Sequence, residues 1–344
     1  MKHKVLPVLV ALLLPTACAK VPSGPGQAAV DIRAAIEGTP AATKGLVNFA
    51  SYDTYGIFTC IHEDTDAPTA FAQFRPSLWN VQASAQPARW SYKNVADYAT
   101  GDLFSAGSEK FILMGRNDKA CADLYAYAPW TKGAYASGPE AIPFSRQTDL
   151  MYAEQNTVNA NRGLDPASYS ELSADFHFRR VMACLTFDFT LDSPDNTTIR
   201  IDLRSIQDMD PAGGAVLYTG GKFNAITGEL YDLRPAETLS TDLGGCTVIP
   251  AGASFNVYLV PTEVTADDEL VFTFVSGGHT LPPFKLKASQ VLHAKADPGD
   301  PDVSGFRAGY KYTFHFRLDN YVRFDGFNIQ PWGDPEELPF HGVI

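Results

Sequence analysis

The stretch VMACLTFDFTL, residues 181–191, alternates apolar and mostly polar residues along its whole length. Its odd positions are all apolar, whereas four of its five even positions hold Cys, Thr or Asp. Because successive side chains of a strand point to opposite faces, this alternation predicts one long strand with an apolar face. Just upstream, Phe176 and Phe178 stand at even positions. The change of parity predicts a bulge or bend near Arg179–Arg180.

Further strand patterns follow to the end of the chain. A second clean alternation covers 310–318, and shorter ones lie at 199–203, 255–259 and 270–274. In the first half, KFILM (110–114) predicts a buried strand, and LYAYAPW (124–130) predicts a strand stopped by Pro129. Four glycine pairs, which we interpret as turn positions with positive φ, separate the patterned runs: 213–214, 220–221, 244–245 and 277–278. Short strands and frequent turns predict an all-β chain built of β-sandwiches.

The first residues, MKHKVLPVLVALLLPTAC, form a secretory signal pattern. A basic start precedes a short apolar run, and the small residues Thr16 and Ala17 come directly before Cys18. A cysteine at the cleavage point indicates a bacterial lipoprotein, in which Cys18 becomes the acylated first residue of the mature chain. The alternative is an ordinary signal peptide that contains a cysteine, since Pro15 stands where such motifs usually have Leu.

A chain of 344 residues suggests two domains. We predict a signal peptide at 1–17, a tether at 18–46, an N-terminal β-sandwich at 47–170 and a C-terminal β-sandwich at 171–344. The tether contains VPSGPGQ, which cannot hold regular structure, and VDIRAAI (30–36), which could form one short strand. A connection rich in Asn, Gly and Pro at 155–172 sets the boundary near 170.

The charge and the cysteines limit the classes of function. The net charge is −12, and loss of residues 1–17 removes two lysines and no acid, which gives −14. This acidity argues against nucleic-acid binding. Export permits disulfides. Four cysteines follow Cys18, namely Cys60, Cys121, Cys184 and Cys246, and they could pair in three ways. The sequence does not settle their pairing, and Cys184 fits equally a small buried hydrophobe within its strand.

No pattern in the chain predicts an enzyme, a cofactor or a metal. His62-Glu63-Asp64 with Asp66 could ligate a metal, but we interpret it as an acidic loop after a strand. Asp297, Asp300 and Asp302 lack the glycine and distal Glu of a calcium loop. The remaining candidates are interpreted as structural: His177 and His315 on the outer faces of strands, and Tyr125, Tyr127 and Trp130 as core residues rather than a sugar-stacking platform.

Five separated segments together resemble the fimbrillin-like lipoprotein family, the subunits of type V pili. They occur in the family's order and share its spacing: LYAYAPW (124–130), DLMYAE (149–154), FHFRRVMACLTFDF (176–189), AGYKYTFHFRL (308–318) and FNIQPW (327–332). The resemblance implies two transthyretin-like β-sandwich domains in tandem, export to the outer membrane as a lipoprotein, and polymerisation into a fimbrium at the cell surface.

The resemblance also implies a mode of assembly. An arginine- or lysine-specific protease removes the segment before the first domain, and another subunit's terminal strand fills the groove that is opened, which is β-strand addition. The Thr-Arg pair often found there reads Thr43-Lys44 in this chain, so Lys44 or Arg33 is the candidate cleavage site. The removable strand would carry an apolar face at its even positions: Val30, Ile32, Ala34 and Ile36.

Two alternatives from other classes stay open. One is a surface lipoprotein that binds a glycan or a host protein and never assembles, and the other is a lipoprotein hydrolase. Within the family, the prolines after Trp332 make a poor donor strand, which favours an accessory or tip subunit. We expect Trp332 itself to be a core or groove residue at the end of the last strand.

Overall fold

The computed structural model describes residues 27–36, 54–63, 80–84, 111–114, 120–145, 148–159, 172–192, 198–208, 217–265, 267–288, 305–319 and 322–332. Strands dominate these residues, and the one helix that they contain is a single turn, α1 (Ala134–Ser137). The predicted all-β class is confirmed. In the described part of the chain, no helix has the length and apolar character needed to cross a membrane.

The strands are numbered along the chain. Those of the first half are β1 (Gln27–Ile36), β2 (Thr54–Glu63), β3 (Val81–Ser84), β4 (Phe111–Met114), β5 (Ala120–Ala128), β6 (Ile142–Ser145), β7 (Met151–Asn159) and β8 (Leu172–Arg180). Those of the second half are β9 (Ala183–Leu191), β10 (Ile199–Asp208), β11 (Gly220–Phe223), β12 (Leu230–Tyr231), β13 (Thr238–Val248), β14 (Ala253–Leu259), β15 (Thr262–Glu263), β16 (Glu269–Ser276), β17 (His279–Thr280), β18 (Phe284–Lys287), β19 (Gly305–Phe306), β20 (Tyr310–Leu318) and β21 (Val322–Pro331).

Seven strands of the first half form one curved sheet, in the order β3-β2-β5-β7-β8-β1-β4. Strands β2 and β8 are three steps apart in this order, which is about 14 Å in a flat sheet. Yet the ring centroids of Tyr55 on β2 and Phe178 on β8 lie 5.5 Å apart, edge to face. The sheet therefore curves strongly over its own core, where Tyr55, Phe176 and Phe178 are buried.

The second half is a β-sandwich. A four-stranded sheet, β14-β9-β20-β21, faces a sheet built on β13, β10 and β16. Strands β9 and β20 are parallel, and their neighbours are antiparallel. Phe187 lies at the centre of the core: its ring stacks on Phe255 and Phe314 of its own sheet, at 5.3 and 5.4 Å. It meets Phe272 of the facing sheet edge to face, at 5.3 Å.

A small third sheet joins the two halves. Strand β6 from the first half pairs with β11 from the second, and β11 pairs with β12. Beneath it lies a buried cluster drawn from both halves, which includes Tyr127, Phe144, Met182, Phe223 and Val260. The β6–β11 ladder pairs backbone groups of the two halves, and the shared cluster buries apolar side chains from both. The halves are therefore packed against each other rather than joined only by a linker.

The alternation at 181–191 is confirmed as strand β9, which begins at Ala183. The predicted bend lies at Val181–Met182, where the chain leaves the curved sheet and enters the sandwich. Residue 170, the predicted domain boundary, lies outside the described residues, and the domain bounds stay a prediction. The strands predicted at 110–114 and 124–130 are present as β4 and β5.

The glycine pairs do not all mark turns. Gly277 and Gly278 do, with φ of 56° and 84° between β16 and β17. The expected turn is wrong for 220–221 and 244–245, which lie inside β11 and β13, but the expected positive φ is present at Gly220 (154°) and Gly244 (135°). Close approach explains Gly245, because a Cβ there would collide with the Asp202 carboxylate and lie 2.8 Å from the Ile201 carbonyl oxygen of the neighbouring strand. The pair 213–214 lies outside the described residues.

Replacing Phe187 by Ala should remove the ring around which the sandwich core packs. We expect F187A to lower the free energy of unfolding by about 3–5 kcal/mol, measured by urea denaturation. Thr190 is exposed on the same strand, so T190A is the matched control, with an expected change within about 0.5 kcal/mol. Equal losses in the two variants would contradict this account of the core.

Candidate functional site at strand β1 and the Arg180 junction

Strand β1 lies between two strands that are distant from it in sequence. It pairs parallel with β8, from Val30 opposite Leu172 to Ile36 opposite Phe178. On its other side, Gln27 to Val30 pair antiparallel with β4. Within the described part of the chain, β1 is the one strand that joins β4 to the rest of the sheet. The short strand expected at 30–36 is therefore present and three residues longer at its start.

The register of β1 matches its apolar even positions to the buried positions of β8. Ala34 pairs with Phe176 and Ile36 with Phe178, and both phenylalanine side chains are at most 1% exposed. Between them, His177 is exposed, as the sequence predicted. The parity that the sequence assigned to β1 thus agrees with the parity of the strand beside it.

The predicted processing and lipidation residues have different places. Arg33 lies in the middle of β1, paired with Asp175 of β8. Cleavage within a paired strand needs that strand to open locally, because a protease binds its substrate as a free extended segment. Lys44 and Cys18 lie outside the described residues.

Arg180 is the last residue of β8, two positions beyond the last β1–β8 pair. Its Nε lies 3.2 Å from Oδ2 of Asp149, and its Nη1 donates to the carbonyl oxygen of Trp332 at 3.1 Å. The guanidinium carbon also lies 4.0 Å from the centroid of the Trp332 ring. The Arg180 side chain is 13% exposed and that of Asp149 is 3% exposed. One buried cation therefore meets an anion, a carbonyl and an aromatic face.

Trp332 directly follows β21, and both its ring and its backbone are held. The indole stacks on Tyr258 with centroids 5.5 Å apart. The backbone N–H of Trp332 donates to the carbonyl oxygen of Gly309 at 2.6 Å, and the backbone N–H of Gly309 donates to the carbonyl oxygen of Met182 at 3.0 Å. Trp332 is partly buried in this packing, which confirms the prediction of a core or groove residue at the end of the last strand.

Burial raises the pKa of Asp149 to about 6, although the charge of Arg180 and its hydrogen bond act in the opposite direction. Desolvation disfavours the carboxylate, and the nearby guanidinium favours it. Asp149 therefore changes charge in a mildly acidic range, far above the ordinary range of an aspartate.

The other residues that the sequence singled out are structural. Tyr125 and Tyr127 are buried, and the Tyr127 hydroxyl donates to Asn80 Oδ1 at 2.6 Å. Trp130 Nε1 donates to the backbone carbonyl of Asn80 at 3.2 Å. His315 is half exposed on β20, 3.5 Å from Asp188. Asp64, Asp66 and the 297–302 loop lie outside the described residues, and among those described no group of three or more His, Cys, Asp or Glu could hold a metal.

Cys184 and Cys246 are free thiols. All three complete connectivities would require both to be bonded, so none of them is present. Cys184 is fully buried in β9, as expected of a small hydrophobic residue, and burial raises its thiol pKa to about 12. Cys60 and Cys121 lie on the paired strands β2 and β5, at positions two residues out of register.

Sequence reasoning missed Asp149, Arg180 and Asn80. The first two stand inside the segments DLMYAE and FHFRRVMACLTFDF, where no local pattern marks either of them as buried or paired. Their partners are far along the chain: 31 residues separate Asp149 from Arg180, and 152 separate Arg180 from Trp332. A charge directly beside a strand that changes parity was the one available signal.

The raised pKa of Asp149 predicts a pH dependence of stability. The folded chain keeps a proton that the unfolded chain, with a carboxyl pKa near 3.8, releases at lower pH. Stability from this group is thus fully present below about pH 4 and is lost as the pH rises through about 6. D149N lacks this titrating group, so its stability should not fall in this way. The free energy of unfolding of D149N minus that of the wild type should therefore rise by up to roughly 3 kcal/mol from pH 4 to pH 6, measured by urea denaturation. A difference between the two proteins that does not vary with pH would contradict this.

Two solved structures that align with a TM-score of at least 0.50 support the fold. A candidate cell adhesion protein from Bacteroides ovatus ATCC 8483 aligns with a TM-score of 0.52 and 16% identity, over 88% of this chain and 97% of that one. One from Bacteroides uniformis ATCC 8492 gives 0.50 and 15%, over 89% and 99%. A fimbrial protein from Bacteroides vulgatus ATCC 8482 gives 0.41 and 12%, over 89% and 99%. No curated protein matches.

At these identities the solved structures speak for the fold alone. The family is shown by the sequence: the fimbrillin-like family profile matches residues 47–332. That span contains the five segments that carried the resemblance, β2 to β21 and the Arg180–Trp332 contact. The chain therefore belongs to the fimbrillin-like family.

Proposed function

We propose that this fimbrial or adhesion-type surface protein is a structural, non-enzymatic pilus subunit that accepts a strand from a neighbouring subunit in place of β1. The family supports the general role in a fimbrium. The place of β1 carries the specific proposal: a segment at the N-terminal side of the matched region completes the curved sheet between β8 and β4. In this proposal, the chain folds as two transthyretin-like sandwiches in tandem.

Withdrawal of β1 would leave an acceptor edge on β8. Seven consecutive positions of β8 would lose their partners, from Leu172 to Phe178, and β4 would lose its connection to the sheet. Unpaired backbone groups beside the apolar side chains of Phe176 and Phe178 are costly to expose, and a new strand satisfies both at once. This is the physical reason for β-strand addition at this edge.

The register defines the strand that would fit. A strand replacing β1 parallel to β8 would carry apolar or small residues opposite Phe176 and Phe178. Opposite Asp175, where β1 has Arg33, a basic residue would match the charge. A strand shifted by one residue would place its polar side chains against the core.

We propose Lys44 rather than Arg33 as the processed residue. Cleavage after Lys44 leaves β1 whole and frees it as one unit, whereas Arg33 lies within the β1–β8 ladder. The sequence around Lys44, TPAATKG, is rich in small residues, which a protease accommodates readily.

An accessory or tip role fits the end of the chain. Strand β21 pairs with β20 from Val322 to Pro331, and Phe327 and Ile329 are buried in the sandwich core. These residues are therefore committed to their own subunit, and the twelve that follow Trp332 include two prolines. Such a subunit accepts a strand more readily than it donates one.

Limited trypsin digestion of the purified mature protein tests the assembly proposal. We expect cleavage after Lys44, identified by N-terminal sequencing, followed by binding of a peptide that carries the register defined above. K44Q should block this cleavage, and R33Q should leave it intact. A peptide shifted by one residue is the control and should not bind.

Two results would overturn parts of the proposal. Regular self-polymers, visible as a ladder on an unheated gel, would assign a stalk role instead. Absence of cleavage between residues 33 and 44 would favour an anchor or a surface lipoprotein that does not assemble.

We further propose that Cys18 carries the lipid that holds the protein at the outer membrane. Each buried methylene of an acyl chain contributes about 0.8 kcal/mol, so several chains anchor a protein stably. C18S should abolish labelling of this protein when cells grow with a fatty-acid analogue, and it should release the protein from the membrane fraction. Labelling that persists in C18S would rule out this residue.

A further inference from the structure

The Arg180 junction links two parts of the molecule that the sequence keeps far apart. On one side is the β1–β8 ladder, whose last pair is Ile36 with Phe178. On the other is Trp332, directly after β21. Arg180 is two residues from the first and in direct contact with the second, through its hydrogen bond to the Trp332 carbonyl and its position over the ring.

We propose that Arg180 couples the pairing of β1 on β8 to the anchoring of Trp332, so that loosening either one loosens the other. The inference concerns a single chain and holds whether or not subunits exchange strands. If they do, removal of β1 from β8 would also loosen Trp332 at the end of β21.

The geometry leaves little freedom for the two ends to move separately. Arg180 pairs with Met151 of β7 through the backbone, which fixes its Cα within the curved sheet. Its side chain is held between the Asp149 carboxylate and Trp332 with 13% exposure. A displaced β8 would therefore either pull the guanidinium from Trp332 or carry Trp332 with it.

A second path runs through the backbone beside the first. The Val181 N–H donates to Leu150 at 2.9 Å, Gly309 donates to Met182 at 3.0 Å, and Trp332 donates to Gly309 at 2.6 Å. Successive hydrogen bonds thus connect the end of β8, the start of β20 and the residue after β21.

One further charge lies near this junction. Lys311 of β20 stands opposite Cys184 of β9, and the charges of Asp149, Lys311 and Arg180 all act on the Cys184 thiol. Arg180 contacts both Asp149 and Trp332 directly. The coupling is therefore assigned to Arg180 as a positioning residue.

Hydrogen–deuterium exchange of the mature full-length chain tests the coupling from both ends. W332L removes the ring from Arg180 and Tyr258 but keeps the backbone. We expect amides of 27–36 and 172–180 to exchange about fivefold faster or more, the range of coupling between linked sites. F324L is the matched control: Phe324 lies near the start of β21, packs on Phe284 and Phe316, and is far along β21 from the end that precedes Trp332. It should leave 27–36 and 172–180 unchanged.

The reverse experiment begins at β1. A34P breaks the ladder beside Phe176, and exchange around 309–312 and 329–332 should rise by a similar factor. A28P is its control, because Ala28 pairs with β4 at the far end of the strand.

The double variant D149N/R180M tests the role of the ion pair, because it removes both charges together and leaves neither unpaired. In this background W332L should no longer change exchange in β1 and β8.

The outcomes decide the matter. Faster exchange in both regions with W332L and A34P, but with neither control, supports the coupling. If W332L changes only β20 and β21, or if F324L accelerates β1 and β8 equally, the junction packs locally or destabilises the fold globally, and the proposal is wrong. If W332L changes exchange in β1 and β8 as much in the D149N/R180M background as in the wild type, Arg180 does not carry the coupling.

Discussion

The structure depends on one change of side-chain parity, at Val181–Met182. Before it, the buried phenylalanines of β8 stand at even positions, Phe176 and Phe178, and after it those of β9 stand at odd positions, Phe187 and Phe189. A strand cannot bury both sets in one sheet, because its side chains alternate strictly. The chain therefore leaves one sheet and enters another. Two backbone groups at this point find partners outside the strands: the Val181 N–H donates to the Leu150 carbonyl, and the Met182 carbonyl accepts from the Gly309 N–H.

This break brings together charged and aromatic groups that would otherwise lie apart. Arg180 ends β8 just before it, and the guanidinium fills the corner between the two halves beside Asp149 and Trp332. A buried ion pair contributes little net stability, since desolvation offsets the attraction. It does fix geometry, because removing one partner leaves the other charge buried and unpaired. The raised pKa of Asp149 shows which of the two opposing effects is larger here.

Strand β1 completes the curved sheet by pairing with sequence-distant neighbours. Parallel pairing with β8 requires the chain to travel a long way between the two strands, so local sequence contributes nothing to it. Its stability comes from the ladder and from matching apolar positions, and both are available to any strand with the same pattern. That equivalence is why an edge vacated by one strand is open to another. The aromatic core of the sandwich lies in other strands and does not depend on it.

The sequence alone determined the fold class, the principal strands β5, β9 and β20, and the family. It did so because period-two alternation is a local property, and ordered short segments survive in a family after most identities are lost. It also placed Trp332 in packing and Cys184 in a core strand. The Arg180 junction was beyond its reach, since no local rule distinguishes Arg180 from Arg179, which is exposed.

Only the tertiary structure decided which residues meet. It paired β1 with β8, joined the halves through β6 and β11, and placed two glycine pairs inside strands where turns were expected. These results depend on contacts between residues tens to hundreds of positions apart. A sequence pattern records the environment that each residue requires, apolar or polar, but not which distant partner provides it.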